Sequence, residues 1–201
     1  TTVCEGSELT LSGSGGFSLN GSNNYIVLEQ PGPSGQSQRS FSVWFKTAAT
    51  EDMSIFGYGS SSCRSNAQLR LNHNANYSAA YIGTWCPYTK GLAAVHGCHN
   101  GNFDAIVSDN QWHHVAYVMG ENNNYAFNNI NLYLDGILVS NSSQGCFHNW
   151  GGWQYDTGSD IPITIGKLFN GNGRYFDGEL DDFAVFDTAL SANAVQSIYS
   201  N

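Results

Sequence analysis

YFDGELDDFAVFDTALS, residues 175–191, alternates acidic and apolar side chains and then leads into a segment with helical character. Two shorter strand-like segments precede it, NLYLDGILV at residues 131–139 and ITIGK at residues 163–167. The first contains Asp135-Gly136 between two apolar runs, which is a strong hairpin signal. Strand, turn, strand and then an acidic strand before a short helix is an order that favours an all-β sandwich.

The composition fits one large all-β domain over residues 1–201. Of these 201 residues, 41% are apolar and 13% aromatic, while only 11% are charged and glycine occurs 23 times. Many short strands joined by polar turns have this composition. The spacing predicts about nine or ten strands, with no internal repeat and no linker.

Period-two alternation marks most of the strands. It places Phe41, Val43 and Phe45 on one face. In the last predicted strand, residues 178–186, we expect Leu180, Phe183 and Val185 to lie in the core. Only residues 191–200 are predicted to be helical, with Ser191 as the N-cap. Residues 84–110 and 141–161 are predicted to be long loops. The other predicted strands are 25–28, 53–58, 68–72, 78–82, 112–119, 130–140 and 163–167.

The charge balance argues against two classes of partner. The net charge is -9 and the chain has only seven Lys plus Arg residues. A surface for nucleic acid or for an anionic membrane needs a basic patch, which so few cations do not build. No apolar run is long enough to span a bilayer. The acidic surface suits cations, or neutral partners such as sugars.

Cysteines and glycosylation sequons favour a secreted protein. The five cysteines lie in turn-like surroundings rather than in paired metal-binding motifs. The three Asn-x-Ser sequons begin at Asn20, Asn76 and Asn141. We expect a signal peptide to have been removed before Thr1. Cys63–Cys86 and Cys98–Cys146 are one disulfide assignment, although sequence leaves the connectivity open. Cys4 would then be unpaired and available to join a second chain.

Five motifs follow one another in a fixed order along the chain. They are GFSLNGSNNYIV at 16–27, FSVWF at 41–45, WHHVA at 112–116, LYLDG at 132–136, and FDGELDDFAVFDTALS at 176–191. Together they resemble the laminin-G-like and pentraxin-like branch of the concanavalin A-like lectin/glucanase superfamily, and the final motif is similar to the family's Phe-x-Gly-x-Ile-Asp-Glu-Val-x-Ile-Tyr pattern. The resemblance implies a jelly roll of two antiparallel sheets.

The resemblance also implies a calcium ion near the edge of a sheet. The matching positions are Asn20 and Asn24 in the first loop and Asp181 or Asp182 in the last strand. Calcium requires six to eight oxygen ligands, and asparagine in place of the family's commoner aspartate removes negative charge. Strand alternation predicts that one of the two aspartates points to the core, where it would need a cation or hydrogen-bond donors.

Aromatic side chains in the two long loops are the candidate glycan contacts. Sugars present apolar C–H faces that pack on aromatic rings, while asparagine, aspartate and histidine bond their hydroxyls. The alternative is that these rings pack together as a satellite core under the loops. The candidate ligand-binding residues are Trp85, Tyr88, His148, Trp150, Trp153 and Tyr155, with Phe147 beside them.

Two other kinds of chemistry have less support. His96-x-x-His99 with Cys98 lacks the paired Cys-x-x-Cys of a zinc site, and we expect His113 and His114 to be structural. Glu179-Leu-Asp181 begins the Glu-x-Asp-x-Glu pattern of laminarinase-type enzymes, but Phe183 stands where the second glutamate belongs. We therefore expect no catalysis.

The sequence predicts a secreted, non-catalytic domain that recognises an extracellular glycan or glycoprotein, supported by calcium. The rival is a structural or adhesive module that binds protein partners or assembles into a polymer, with Cys4 as a tether. Neither nucleic acid binding nor membrane insertion is expected.

Overall fold

The computed structural model describes residues 9–11, 16–61, 65–71, 91–96, 99–104, 107–120, 130–141, 156–171 and 173–201. Within them the chain forms thirteen strands and one short helix. In chain order they are β1 (Leu9–Leu11), β2 (Phe17–Asn20), β3 (Ile26–Val27), β4 (Arg39–Lys46), β5 (Met53–Gly59), β6 (Asn66–Leu71), β7 (Gly91–His96), β8 (His99–Asp104), β9 (Trp112–Met119), β10 (Ile130–Leu134), β11 (Ile137–Asn141), β12 (Ile161–Ile165), β13 (Asp177–Phe186) and α1 (Ala192–Ser200).

The strands form two sheets. Sheet A has the order β1-β13-β4-β9-β10-β11, with β2 also paired to β13, and sheet B has the order β3-β12-β5-β6-β7-β8. Every strand pair in the described part of the chain is antiparallel. The predicted all-β sandwich with one short C-terminal helix is confirmed. No helix in these residues is long and apolar enough to cross a membrane.

The core lies between the two sheets, and aromatic rings join them. The ring centroid of Phe41 in β4 lies 4.6 Å from that of Phe56 in β5, and Phe56 meets Phe183 of β13 edge-on at 5.5 Å. Such tilted and edge-on pairs are favourable beyond the area that they bury. Val43 and Phe45 are also fully buried. The predicted inward face of β4 is therefore confirmed.

A buried cation ties one loop to both sheets. Arg39, the first residue of β4, has no exposed surface. Its guanidinium donates to the backbone oxygens of Gly35 and Ser37 at 2.8 Å and to the hydroxyl of Tyr58 in β5 at 3.0 Å. The carbonyl of Pro33 accepts as well. A charge is tolerated inside a protein only with partners of this number and kind.

Strand β13 contains a bulge that corrects one prediction. Asp181 lies opposite Trp44 and Ala184 lies opposite Ser42. An advance of three residues along β13 therefore matches an advance of only two along β4. Asp182 has a φ of 47°. One extra residue in a strand produces such a bulge. It keeps Leu180, Phe183 and Val185 in the core, as predicted, while Asp181 is half-buried and Asp182 exposed. The prediction that one of the two aspartates points inward is wrong.

Two strands lie where a long loop was predicted. Strands β7 and β8 fall within residues 84–110 and pair with each other along their whole length, with His96 opposite His99. Strand β7 also pairs with β6, with Gln68 opposite Val95. Leu92 to Val95 is a continuous run of mostly small apolar residues, so it lacks the alternation on which the prediction depended. The predicted strand at 78–82 lies outside the described residues.

The outer face of sheet B is polar yet buried at β6. Gln68 and Arg70 alternate with core residues, and Phe169 would contact any side chain at Gly57 beside them. One carboxylate oxygen of Asp52 accepts from Arg70 and, at 2.8 Å, from Arg174. Burial lowers the pKa of the Arg70 guanidinium, whereas Asp52 opposes that shift. This ion-pair group fills the face rather than leaving it open.

Helix α1 covers the outer face of sheet A. Val195 packs with Ala116, Val118 and Tyr133, and Ser191 caps the helix by accepting from the backbone N–H of Ala194 at 3.2 Å. The predicted helix and its N-cap are confirmed.

His114 is fully buried in sheet A, near the helix. Its Nε2 lies 2.8 Å from the hydroxyl of Ser42, and its ring lies 5.3 Å from that of Trp44 and 6.0 Å from that of Tyr199. Burial lowers the pKa of the imidazole to about 4. The predicted structural role of this histidine is therefore supported by its surroundings.

We expect the burial of His114 to make the domain less stable in acid. The unfolded chain takes up a proton near pH 6.5 but the folded imidazole only near pH 4. Stability is therefore lost as the pH falls between these values, by up to about 3 kcal/mol. Urea unfolding across this range measures it. His114→Gln, which cannot take up the proton, should be less stable at pH 7 and lose less on acidification. Equal slopes for both proteins would contradict the account.

Candidate functional site

All of the predicted glycan contacts, and most of the other predicted site residues, lie outside the described residues. These are the loop residues Trp85, Tyr88, Phe147, His148, Trp150, Trp153 and Tyr155, the cysteines Cys4, Cys63, Cys86, Cys98 and Cys146, and the sequon residue Asn76. Asn141 is the last residue of β11. The roles assigned to all of these residues stay predictions.

Asn20 uses its side chain to shape the first loop. Its Oδ1 accepts from the backbone N–H groups of Ser22 and Asn23 at 3.1 Å and of Asn24 at 3.2 Å, and its Nδ2 donates to the side chain of Asn23 at 2.7 Å. A side-chain oxygen that caps successive N–H groups stabilises a turn. Asn20 and Asn24 are brought together, and backbone N–H groups already occupy the side-chain oxygen of Asn20.

The structure separates this loop from the predicted aspartates. Asn20 lies opposite Asp177 in the sheet, and Asp181 lies four residues further along β13, which is about 13 Å. No group of three or more His, Cys, Asp or Glu side chains in the described ranges could hold a metal ion. Asn20, Asn24, Asp181 and Asp182 therefore do not fit one calcium site as a set. Calcium binding stays a prediction from the sequence.

Asp181 and Asp182 form the solvent side of the bulge. The carboxylate of Asp181 accepts a hydrogen bond from the backbone N–H of Asp182 at 2.9 Å. This bond gives the N–H of the bulged residue a partner within the bulge. Partial burial and then the charge of Asp181 raise the pKa of Asp182. Their neighbour Phe183 is in the core, so this strand presents no second glutamate beside Glu179 and Asp181.

An exposed tryptophan lies beside these acids. Trp112 is 39% exposed at the start of β9 and lies opposite Lys46 of β4, which lies opposite Glu179 of β13. Lys46 and Glu179 form an ion pair at 3.0 Å, and the ammonium lies 6.0 Å from the centre of the indole. The register therefore aligns an aromatic ring, a cation and a carboxylate in one row across the outer face of sheet A.

Gly16 lies beneath the indole of Trp112 and the side chain of Asp181. A Cβ atom at this glycine would lie 3.5 Å from Cη2 of Trp112, 3.6 Å from Cβ of Asp181 and 3.0 Å from the carbonyl oxygen of Leu180. Its φ of +69° also favours glycine. The indole and Asp181 therefore converge over bare backbone. We call Trp112, Lys46, Glu179 and Asp181, with Gly16 beneath them, the Trp112 surface.

His113 fixes the strand next to Trp112. One ring nitrogen lies 2.8 Å from the carboxylate of Asp135 in the β10–β11 turn, and the other lies 3.2 Å from that of Asp109. The N–H of Gln111 donates to Asp109 at 2.9 Å, and this bond is the main cause that lowers the pKa of that carboxyl. His113 and His114 both have the structural surroundings that were predicted.

A second exposed aromatic cluster lies at the edge of sheet B. Tyr25 precedes β3 and is 45% exposed, Lys167 follows β12, and Tyr175 precedes β13. The two tyrosine rings are 6.3 Å apart and tilted by 50°. The ammonium of Lys167 lies 4.6 Å from the centre of Tyr25 and 5.9 Å from that of Tyr175. We call these three residues the Tyr–Lys cluster.

Neither aromatic group was predicted as a site. Trp112 and Tyr25 lie inside the motifs that carry the family resemblance, where both were interpreted as strand residues. Period-two alternation assigns a residue to one side of a sheet, but it does not say which cross-strand neighbours meet it. The neighbours of Trp112 come from residues 16, 46 and 181, so only the register reveals the surface.

We expect Asn20→Ala to destabilise the domain independently of calcium. The substitution removes an acceptor for three backbone N–H groups, and losing a comparable capping side chain costs about 0.5–2 kcal/mol. Urea unfolding with calcium and with a chelator measures the loss. Asn20→Asp keeps the acceptor and should retain most of the stability. A loss seen only with calcium present would mean that Asn20 is a ligand.

Solved structures share the fold at low identity. A heptameric SAP-like pentraxin from Limulus polyphemus is 18% identical with a TM-score of 0.62, over 90% of this chain and 80% of that chain. Domain 4 of AbnA, a GH43 extracellular arabinanase from Geobacillus stearothermophilus in complex with arabinotriose, is 17% identical with a TM-score of 0.57, over 96% and 82%. The CBM40 of a Ruminococcus gnavus IT-sialidase is 13% identical with a TM-score of 0.55, over 88% and 97%.

A comparison with curated proteins finds no match to this chain. The laminin G family model, described as the Concanavalin A-like lectin/glucanases superfamily, matches residues 20–196. That range includes four of the five motifs in full and most of the opening one, which begins at Gly16. The two antiparallel sheets described above agree with it. The chain therefore belongs to the Concanavalin A-like lectin/glucanases superfamily.

Proposed function

We propose that this domain is a secreted, non-catalytic module that binds a glycan. The observation that carries the proposal is the Trp112 surface, where an exposed indole lies beside an ion pair and a carboxylate on an ordered sheet. A few polar groups placed around an apolar contact are the usual composition of a small-molecule site. Some of the structural neighbours above are named for sugar ligands or carbohydrate-active enzymes, which is in keeping with the proposal.

The chemistry of the Trp112 surface suits a neutral sugar. One face of a sugar ring consists of C–H groups that pack on an aromatic ring, and an indole offers a large flat area for it. Glu179 and Asp181 would accept hydrogen bonds from hydroxyl groups, and Lys46 would donate them. Because Lys46 and Glu179 neutralise each other and Asp181 leaves one negative charge, the surface favours a neutral sugar over an anionic one.

Two contacts favour binding over hydrolysis. A retaining glycosidase needs two carboxyl groups facing each other across the bond at about 5–5.5 Å. Glu179 is engaged by Lys46, and Phe183 occupies the core position where the family's catalytic pattern has a second glutamate.

Secretion is proposed from the sequons and the cysteines. The loop aromatics, including Trp150 and Trp153, would extend the binding area if they reach the same ligand.

A structural or adhesive module is the second candidate. The observation in its favour is an exposed apolar pair at the start of β11, where Ile137 is 67% and Leu138 46% exposed. Exposed apolar residues on an outer strand suit contact with another protein. Loss of assembly on reduction, together with a blank glycan array, would favour this candidate and would implicate Cys4.

We expect Trp112→Ala to weaken glycan binding two- to tenfold, because the lost stacking contact contributes about 0.5–1.5 kcal/mol. The measurement is calorimetric titration with the neutral glycan that binds best on an array. Phe17→Ala is the matched control, because Phe17 is similarly exposed at 37% but lies opposite Leu180, on the other side of the sheet.

Glu179→Gln gives a second variant that retains the shape of the surface. It should weaken binding without unfolding the domain, because the ion pair that it removes is partly exposed and contributes little stability. Full affinity in both Trp112→Ala and Glu179→Gln would contradict this location for the site. Running the array with a chelator would test the calcium prediction at the same time.

A further inference from the structure

The Tyr–Lys cluster places a cation against two aromatic faces at the protein surface. The pairing of Thr164 with Val27 and of Ile165 with Ile26 aligns β3 and β12, so the residues that flank them, Tyr25 and Lys167, become neighbours. The rings diverge by 50° and the ammonium lies over both, nearer to Tyr25. Ring faces attract a cation, so the two tyrosine rings help to hold the ammonium in place.

The charge of Lys167 is unusual among the described cations. Lys46 is paired with Glu179, and Arg70 and Arg174 are both paired with Asp52. The fifth described cation, Arg39, is buried against backbone oxygens. No carboxylate of the described residues lies within ion-pair distance of the Lys167 ammonium. In a chain with 16 acidic residues and seven basic ones, a half-buried cation that has no acidic partner among the described residues is available to an anionic ligand.

We infer that the Tyr–Lys cluster is a subsite for a carboxylated sugar. Lys167 would pair with the carboxylate, and the exposed ring of Tyr25 would pack against the sugar's C–H face. The tyrosine hydroxyls add groups that both donate and accept hydrogen bonds. An ammonium beside aromatic rings thus matches a ligand that has an apolar face and one charge close together.

The net charge of -9 decides among the anionic partners. This negative charge repels a dense polyanion that comes within one Debye length of the protein, about 8–10 Å. A sugar with one carboxylate per ring gains the local pairing with Lys167 and meets less of this repulsion. An acidic peptide would also pair with the ammonium, but its acidic side chains have no ring face of C–H groups to pack on Tyr25. The carboxylated sugar is therefore the ligand class that the cluster fits best.

This subsite is separate from the Trp112 surface. The Trp112 surface lies on the outer face of sheet A, whereas the Tyr–Lys cluster lies at the β3–β12 edge of sheet B. The inference goes beyond the proposed function, and each can fail alone. Binding of neutral glycans should depend on Trp112 and not on Lys167, and binding of carboxylated sugars should show the reverse.

The test uses trimers of galacturonic, glucuronic and mannuronic acid, each compared with its methyl ester. Calorimetric titration of the intact domain should show binding of at least one acid trimer and much weaker binding of its ester. Removing a hydrogen bond to a charged group costs about 1.5–3 kcal/mol, so Lys167→Met should weaken binding of the acid about tenfold or more. Lys167→Arg retains the charge and should keep most of the affinity. Tyr25→Ala should also weaken binding.

Asn193→Asp is the charge-matched control. It changes the net charge from -9 to -10, as Lys167→Met does, but lies on the exposed first turn of α1, where a carboxylate is favourable. It should bind as the wild type does. The inference is overturned if no acid trimer binds, if ester and acid bind equally, if Lys167→Met has no effect, or if Asn193→Asp weakens binding as much. Tighter binding of a polyglutamate peptide than of every trimer would overturn it too.

Discussion

The constraint on which much of this structure depends is the need of β13 to keep its apolar side chains inside while carrying two consecutive aspartates. A strand with strict alternation would bury one of the carboxylates, and an unpaired buried charge is too costly to tolerate. The bulge resolves this by inserting one residue between Leu180 and Phe183, with Asp182 in the left-handed region. Phe183 then reaches Phe56 across the core, and the two sheets stay packed.

The same bulge determines on which side of the sheet the carboxylate of Asp181 lies. Had Asp181 pointed inward, its buried carboxylate would have needed a metal ion or hydrogen-bond donors as partners. Because it points outward, it meets the indole of Trp112 over Gly16. The Asp181–Asp182 pair is thus associated in this chain with an aromatic surface, whereas the loop of Asn20 lies beside Asp177 at the start of β13 and closes on its own backbone hydrogen bonds.

Local patterns predicted the elements whose cause is local. Phe41, Val43 and Phe45 alternate without interruption, and Ser191 precedes a helical segment as a cap, so both predictions are confirmed. Asp181 and Asp182 were misplaced because alternation gives no warning of a bulge. Strand β7 was missed because its small apolar residues have no period, and its strand character comes from pairing with β6. Trp112 and Lys167 depend on cross-strand register, which the sequence does not display, so their surroundings could not be predicted.

Arg39 has a mechanical consequence. Its backbone belongs to sheet A, its guanidinium bonds the hydroxyl of Tyr58 in sheet B, and its remaining hydrogen bonds hold the carbonyls of residues 33–37. Sliding one sheet over the other at this end would break these hydrogen bonds and leave the charge of Arg39 in the interior without partners. The guanidinium therefore opposes small displacements of one sheet relative to the other at this end. When this end of the sandwich unfolds, the loop and both sheets must separate in one cooperative event.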